Sequence, residues 1–316
     1  MDQRIVSLTS SIEKVIVGKR DVILKLISAL LCEGHILIED VPGVGKTQLI
    51  ASLSRSLNGK FNRIQMTPDI MPSDIIGFTM INQATGTLEY KPGAAICNFL
   101  LADEINRASP KAQSSLLEIM EEGQISLDGS THILPKPFMV LATQNPVETY
   151  GTYHLPEAQM DRFFMKINMG YPTSDEEMQI LERTEFGNPV YFIENAVLSL
   201  EDIIGLQNDV KKVAVVPQVR KYITDIVRST RDSEVVTLGV SPRGSIALYK
   251  AAKAIAFISG RNFVVPDDVK YIADSVLSHR IILSAKGKTK YNSSSDFVNR
   301  ILSTMPVPMQ RQETMQ

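Results

Sequence analysis

The chain has no tryptophan, two cysteines, four histidines and little excess of either charge, its formal net charge being −2 over 316 residues. Each scarcity removes a class of function. Cys32 and Cys97 lie far apart in the apolar surroundings SALLCEG and AAICNFLL, so no disulfide framework is expected and both read as buried, reduced thiols. His35, His132, His154 and His279 show no His-x-x-x-His spacing, and no Cys-x-x-Cys accompanies them, which removes a transition-metal cluster. Without a basic surplus there is no global field to hold a nucleic-acid backbone or an anionic bilayer. No apolar run reaches about 18 residues, and the segment MDQRIVSLTS lacks the apolar core of a secretory signal. A cytoplasmic location with no transmembrane segment is the expectation.

Apolar residues make up 44% of the chain and charged residues 22%, enough for a sizeable core, and 316 residues exceed what one core usually holds. A large domain with a smaller companion is expected. Short apolar runs recur at ILIED (36–40), NRIQM (62–66), NFLLADE (98–104), FMVLATQN (138–145) and MKINM (165–169). Such runs, separated by longer amphipathic stretches, predict an α/β domain with a parallel sheet covered by helices on both faces.

Two excursions interrupt this pattern. Residues 66–95 carry Asn82, Gly86, Pro92 and Gly93 too closely for one helix, which suits an insertion, and 121–138 carry the hairpin signal Asp128-Gly129. After Tyr171-Pro172 helical periodicity takes over, with Ser241 placed to cap a helix, Pro242 at its first position and Gly260 at its end. The expected divisions are an α/β domain over 1–172, a linker over 173–199, a helical domain over 200–304 and a flexible tail over 305–316.

ILIED-VPGVGKT (36–47) sets an apolar strand before a glycine-containing turn, and Lys46-Thr47 open the amphipathic helix QLIASLSRSLN. In that context the backbone N–H groups of Gly43, Val44 and Gly45 form an anion-binding concavity at a positive helix end. Lys46 is placed to bridge β- and γ-phosphates and Thr47 to ligate Mg2+. A Gly-Lys-Thr tripeptide also arises by chance, so the strand and helix around it carry the inference. Asp40 stands where the usual loop has glycine; aspartate tolerates positive φ, and the cradle is expected to survive with an altered entry.

FLLADEINRA (99–108) ends an apolar run in two carboxylates, which a doubly wound sheet presents at its ligand-binding edge. Asp103 suits Mg2+ through its water shell, and Glu104 suits the orientation of an attacking water. The alternative is a solvated acidic strand end.

These segments, together with LLADEINRASPKAQSSLLEIMEE, ATQNP (142–146), LPEAQMDRFF (155–164) and SPRGSIALYKAAKAIA (241–256), resemble in order and spacing the motifs of MoxR-type AAA+ ATPases. The resemblance runs from residue 12 to 281. It implies a P-loop AAA+ αβα sandwich with a five-stranded parallel sheet, followed by an all-helical lid domain. It implies ATP/ADP and Mg2+ as cofactors, ATP being preferred over GTP because no Asn-Lys-x-Asp motif is present.

By the same resemblance Asp103 and Glu104 form the Walker B pair, Asn145 is the sensor-1 residue, and Arg162 is an arginine finger reaching a neighbouring subunit's γ-phosphate. Arg243 matches the sensor-2 arginine of the lid, and Ile16-Val17-Gly18 matches the segment that packs on adenine. Outside that family context Asn145 reads as a turn residue before Pro146, Arg162 as charge at a helix end, and Ile16-Val17 as ordinary core.

The biology implied by the resemblance is chaperone-like remodelling or maturation of a protein client by a ring, expected as a homohexamer, often with a VWA-domain partner. The excursions at 66–95 and 121–138 are the segments that would engage a client. A nucleic-acid motor would want basic hairpins, but ISLDGSTHILPKP carries few basic residues, so no nucleic-acid partner is expected. A nucleotide-regulated scaffold with little turnover is the other alternative, opposed by the set Lys46, Asp103, Glu104 and Arg162.

Overall fold

A computed structural model of the chain describes residues 2–146 and 151–308. Two compact units divide the described residues, one ending at residue 208 and the other beginning at residue 209. In the first, helices α1 (Gln3–Glu13) and α2 (Arg20–Leu31) precede strand β1 (Ile36–Glu39), which leads through a loop into α3 (Lys46–Ser56). Then come β2 (Phe61–Gln65), the short α4 (Pro72–Ile76), the hairpin of β3 (Phe78–Ile81) and β4 (Leu88–Lys91), and β5 (Phe99–Asp103). Helix α5 (Pro110–Glu122), the hairpin of β6 (Gln124–Leu127) and β7 (Ser130–Ile133), β8 (Met139–Gln144), α6 (Glu157–Met160), β9 (Met165–Ile167) and α7 (Ser174–Thr184) follow.

Strands β2, β5, β8, β1 and β9 lie in that order in one sheet, each neighbouring pair parallel. The inner strands β1, β5 and β8 are apolar up to their polar carboxyl ends, as a parallel sheet covered on both faces requires. Ile36, Leu37 and Ile38 on β1 and Phe99 through Ala102 on β5 are fully buried. Each large side chain removed from water in this way contributes about 1.5–3 kcal/mol. The edge strand β2 instead mixes buried Ile64 with exposed Arg63. From β1 the chain crosses to this far edge and returns through β5 and β8, so strand order reverses at β1. Ligands bind beyond the carboxyl ends of strands at such a point.

The excursion at 66–95 is α4 followed by the β3–β4 hairpin. The excursion at 121–138 holds β6 and β7, joined by Asp128 and Gly129 at φ 48° and 76°. Two consecutive positive φ values are what a type I′ hairpin turn needs. Tyr90 of β4 stacks on His132 of β7 with ring centroids 3.8 Å apart, so the two hairpins touch.

Helix α8 (Leu200–Lys212) spans the division between units. The second unit then holds α9 (Pro217–Arg231), β10 (Val236–Leu238), α10 (Pro242–Ile258), α11 (Pro266–Leu277), β11 (Ile282–Leu283), α12 (Ala285–Lys290) and α13 (Ser294–Thr304). Ser241 caps α10 through its hydroxyl, which accepts from Gly244 N at 3.4 Å, and Gly260 beyond the end takes φ 81°. Fully buried Ala251, Ala252 and Ala254 keep this helix slim where it enters the core.

Several expected boundaries shift. The second unit is helical, but β10 and β11 pair antiparallel within it. The stretch 173–199, expected as a linker, carries α7 and a 3-10 turn at Pro189–Phe192, and it belongs to the first unit. Helix α7 forms because Thr173 and Glu176 make a reciprocal capping box. Of the expected tail, residues 309–316 lie outside those described.

Candidate active site

The register of the sheet sets four strand ends side by side. Glu39 of β1 pairs with Gln144 of β8, Ala142 of β8 with Ala102 of β5, and Asp103 of β5 with Gln65 of β2. The loop after β1, Asn145 after β8, and Asp103-Glu104 at the end of β5 therefore share one edge. Asn145 is 6% exposed there.

Between β1 and α3, Gly43 and Gly45 take φ 86° and 93°, which other residues rarely adopt. A Cβ added at Gly43 would meet nothing within 4 Å, so backbone conformation and not crowding calls for glycine. Gly45 caps α3 with no side-chain hydrogen bond. The first N–H groups of the helix, with Val44 between the two glycines, are thus left for an anion. Lys46 Nζ folds back across the loop and donates to Asp40 O at 2.9 Å, and Thr47 is half-buried in the first helical turn.

Asp40 does not use the left-handed conformation that aspartate tolerates; the positive-φ residues other than glycine, among those described, are Glu33, Asn58, Glu104 and Asp128. Its carboxylate works as an acceptor instead. Oδ1 receives Val41 N at 3.0 Å, and Oδ2 receives the N–H groups of Met169 and Gly170, both at 2.7 Å. The altered entry fastens the loop to the segment that follows β9. That segment also reaches the α1–α2 turn. Lys19 Nζ donates to Tyr171 O at 2.9 Å, and Glu176 packs so closely on Gly18 that an added Cβ would lie 1.8 Å from Oε1. Gly18 has φ 70° and Val17 is 6% exposed.

Glu104 is left-handed at φ 60°, ψ 53°, a conformation that costs a non-glycine residue roughly 1–2 kcal/mol and persists where its surroundings impose it. Thr143, fully buried on β8, imposes it. Its hydroxyl accepts Glu104 N at 2.8 Å and donates to Asp103 Oδ1 at 2.6 Å. The other oxygen, Asp103 Oδ2, receives Arg63 Nη2 at 2.7 Å. Glu104 Oε2 receives Gln65 Nε2 at 2.7 Å and lies 3.3 Å from Arg107 Nε. The sequence singles out neither Thr143 nor the β2 pair Arg63 and Gln65. Only the adjacency of β2 and β8 to β5 reveals them.

Arg162 is not part of this edge. It precedes β9, and Phe164 N donates to His35 O just before β1 begins, which places the arginine at the amino edge of the sheet. There Arg162 Nη1 donates to Leu117 O at 3.2 Å and lies 3.1 Å from Glu121 Oε2, both on α5. Arg243 lies in the first turn of α10, in the second unit.

Residues 35–165 match the family model described as ATPase family associated with various cellular activities (AAA), and residues 228–301 match the AAA lid domain. Chaperone MoxR1 of Mycobacterium tuberculosis is 40% identical over 306 residues, covering 94% of this chain and 80% of that protein. This chain belongs to the MoxR-type AAA+ ATPases. The YeaC protein of Bacillus subtilis is 49% identical over 300 residues, covering 95% of this chain and 93% of its own. A solved structure from Cytophaga hutchinsonii superimposes with a TM-score of 0.89 at 38% identity, covering 97% of this chain and 95% of that one.

The residues of this MoxR-type chain fit a nucleoside triphosphate. The loop is an uncapped helix end with two left-handed glycines, Lys46 is the cation beside it, and the acidic pair stands on the same edge. Two buried side-chain oxygens near it, Gln144 Oε1 and Asn106 Oδ1, have no partner among the described residues, as expected where ordered water completes a site.

Proposed function

We propose that this MoxR-type protein hydrolyses ATP at sites completed between copies of itself, and uses the cycle for chaperone-like remodelling of a protein client in the cytoplasm. The carrying observation is the separation of the two chemistries. β1 spans four residues, roughly 13 Å, with the P-loop beyond one end and Arg162 before the other. An arginine at the amino edge cannot serve the nucleotide of its own carboxyl edge, so it serves a neighbour's. A closed ring, taken as a homohexamer, lets every copy give and receive one.

In this reading the N–H groups from Gly43 to Gly45 and Lys46 hold the β- and γ-phosphates, while Val17 and Gly18 line the adenine. Mg2+, when bound, supplies charge neutralisation and is held by Thr47 and, through its water shell, by Asp103. Glu104 orients and polarises the attacking water; Gln65 and Arg107 occupy Oε2, which leaves Oε1 for that water. The water's oxygen bonds to the γ-phosphorus, its proton passes to Glu104, and the bond to the β–γ bridging oxygen breaks to release ADP. Asn145 contacts the γ-phosphate or the water, and Arg162 of a neighbouring copy stabilises the charge spread over the phosphoryl oxygens. Arg243 reports nucleotide state in the lid.

The hairpins support a protein client. Ile81 and Leu88 pair directly at the tip of β3–β4, 62% and 71% exposed, and Ile133 on β7 is 74% exposed. Exposed apolar side chains suit a peptide, whereas a phosphate backbone would call for lysine and arginine. MoxR1, similar along nearly the whole chain, bears the name chaperone. A VWA-domain protein is the partner class to look for first. The experiment is capture on Glu104→Gln in ATP, run beside an Ile81→Ser/Leu88→Ser version. A client or VWA-domain partner held by the first and lost from the second supports remodelling. Strong stimulation of ATP turnover by single-stranded DNA would replace this reading with a nucleic-acid motor.

A further inference from the structure

Arg162 spends one corner of its guanidinium inside its own subunit and keeps the rest. Nη1 is the atom bound by Leu117 O and Glu121 Oε2; among the described residues Nε and Nη2 have no partner. Glu121 sits in the last turn of α5, beside Glu122 and with no basic residue in that turn. Negative charge at a helix C-terminus opposes the helix dipole, so the helix itself gives no reason for a carboxylate there. Its side chain is 39% exposed and its carboxylate lies against Arg162.

We propose that Glu121 is a positioning residue for the intersubunit reaction: it anchors Arg162 at Nη1, so that Nε and Nη2 stand ready for a phosphate bound by the neighbouring copy. The inference rests on the reading of Arg162 as the arginine supplied in trans. An arginine side chain has four rotatable torsions, and docking it from solution removes their freedom at the moment the anion is engaged. Anchoring one corner in advance removes most of that freedom beforehand, and the planar fork then fixes the direction of its remaining donors. Leu117 O supplies a second fixed point on the same helix. Because α5 is the first α-helix after the acidic pair at the end of β5, separated from it by the 3-10 turn Ile105–Arg107, the segment that leads away from one subunit's water-orienting glutamate ends by holding the arginine meant for another's. In this role Glu121 touches no substrate and acts on the reaction through Arg162.

The test uses mixed assemblies of full-length chains. Arg162→Ala subunits bind nucleotide but offer no arginine; Lys46→Ala subunits offer the arginine but bind no nucleotide. Their mixture is expected to recover turnover. A donor carrying both Lys46→Ala and Glu121→Gln is expected to recover about tenfold less at saturating ATP, with KM within about twofold, because orientation is lost and binding is not. A Glu121→Asp donor should fall between. Thermal stability of Glu121→Gln should be unchanged or slightly raised, since a charge opposing the helix dipole is removed. Equal recovery with the Glu121→Gln donor overturns the positioning role while the trans reading stands. A smaller assembly with that donor, seen by mass photometry, also overturns it by assigning Glu121 to subunit docking. No recovery with the Lys46→Ala donor removes the trans reading, and this inference with it.

Discussion

The hydroxyl of Thr143 lies 2.6 Å from Asp103 Oδ1 and gives that oxygen its only proton. Because the proton is committed, the hydroxyl must act as acceptor toward Glu104 N, 2.8 Å away. One buried side chain thus fixes the carboxylate of one acidic residue and the backbone of the next. Thr143→Val keeps the shape and removes both bonds. It should destabilise the fold by about 1–3 kcal/mol, the cost of an unsatisfied buried N–H, and reduce turnover about tenfold or more. Thr143→Ser should retain most of both. Urea denaturation and steady-state turnover check the pair; unchanged behaviour of the valine variant would remove Thr143 from the site.

Asp40 provides the second prediction. Replacing it with glycine brings the loop closer to the usual phosphate-loop pattern but removes the acceptor for Met169 and Gly170 N–H. Asp40→Gly should therefore lower stability by about 1–3 kcal/mol and weaken nucleotide binding, despite the better match. Asp40→Asn, which keeps one oxygen acceptor, should cost less. Thermal denaturation with and without nucleotide distinguishes the two.

His35 gives a pH dependence. Nδ1 accepts Val140 N at 2.9 Å, so the ring is neutral and Nε2 donates to Met120 O at 2.9 Å. Burial pushes its pKa from 6.5 down to about 4. The unfolded chain binds the proton first as pH falls, so this contribution to stability is whole above pH 6.5 and is lost progressively toward pH 4. The full loss is about 3 kcal/mol. Between pH 7 and pH 4, stability measured by urea titration should fall less steeply in His35→Gln than in the unaltered chain.

What was legible in the sequence follows from how local each signal is. The runs that became β1, β5 and β8 announce themselves because both faces are covered, and Asp128-Gly129 announces its hairpin because a two-residue turn demands positive φ. The capping box at Thr173 and Glu176 was equally local, though it sits in a stretch that looks like a linker. Asp40 was misread because its partners, Met169 and Gly170, are distant in sequence and reach it only once β9 has paired with β1. Arg63, Gln65 and Thr143 were invisible for the same reason: each meets Asp103 or Glu104 only after β2 and β8 have paired with β5. The P-loop was readable in one dimension, whereas the residues that hold the acidic pair required the sheet order.

The central claim is that the carboxyl edge of the sheet hydrolyses ATP with Glu104 orienting the water. The most direct measurement compares nucleotide affinity and single-turnover hydrolysis for Glu104→Gln and the unaltered chain, assembled at equal concentration. The account predicts ATP affinity within about threefold and hydrolysis slowed by about 10²–10⁴, the range expected for loss of a general base. Hydrolysis at an equal rate in the two proteins would contradict it.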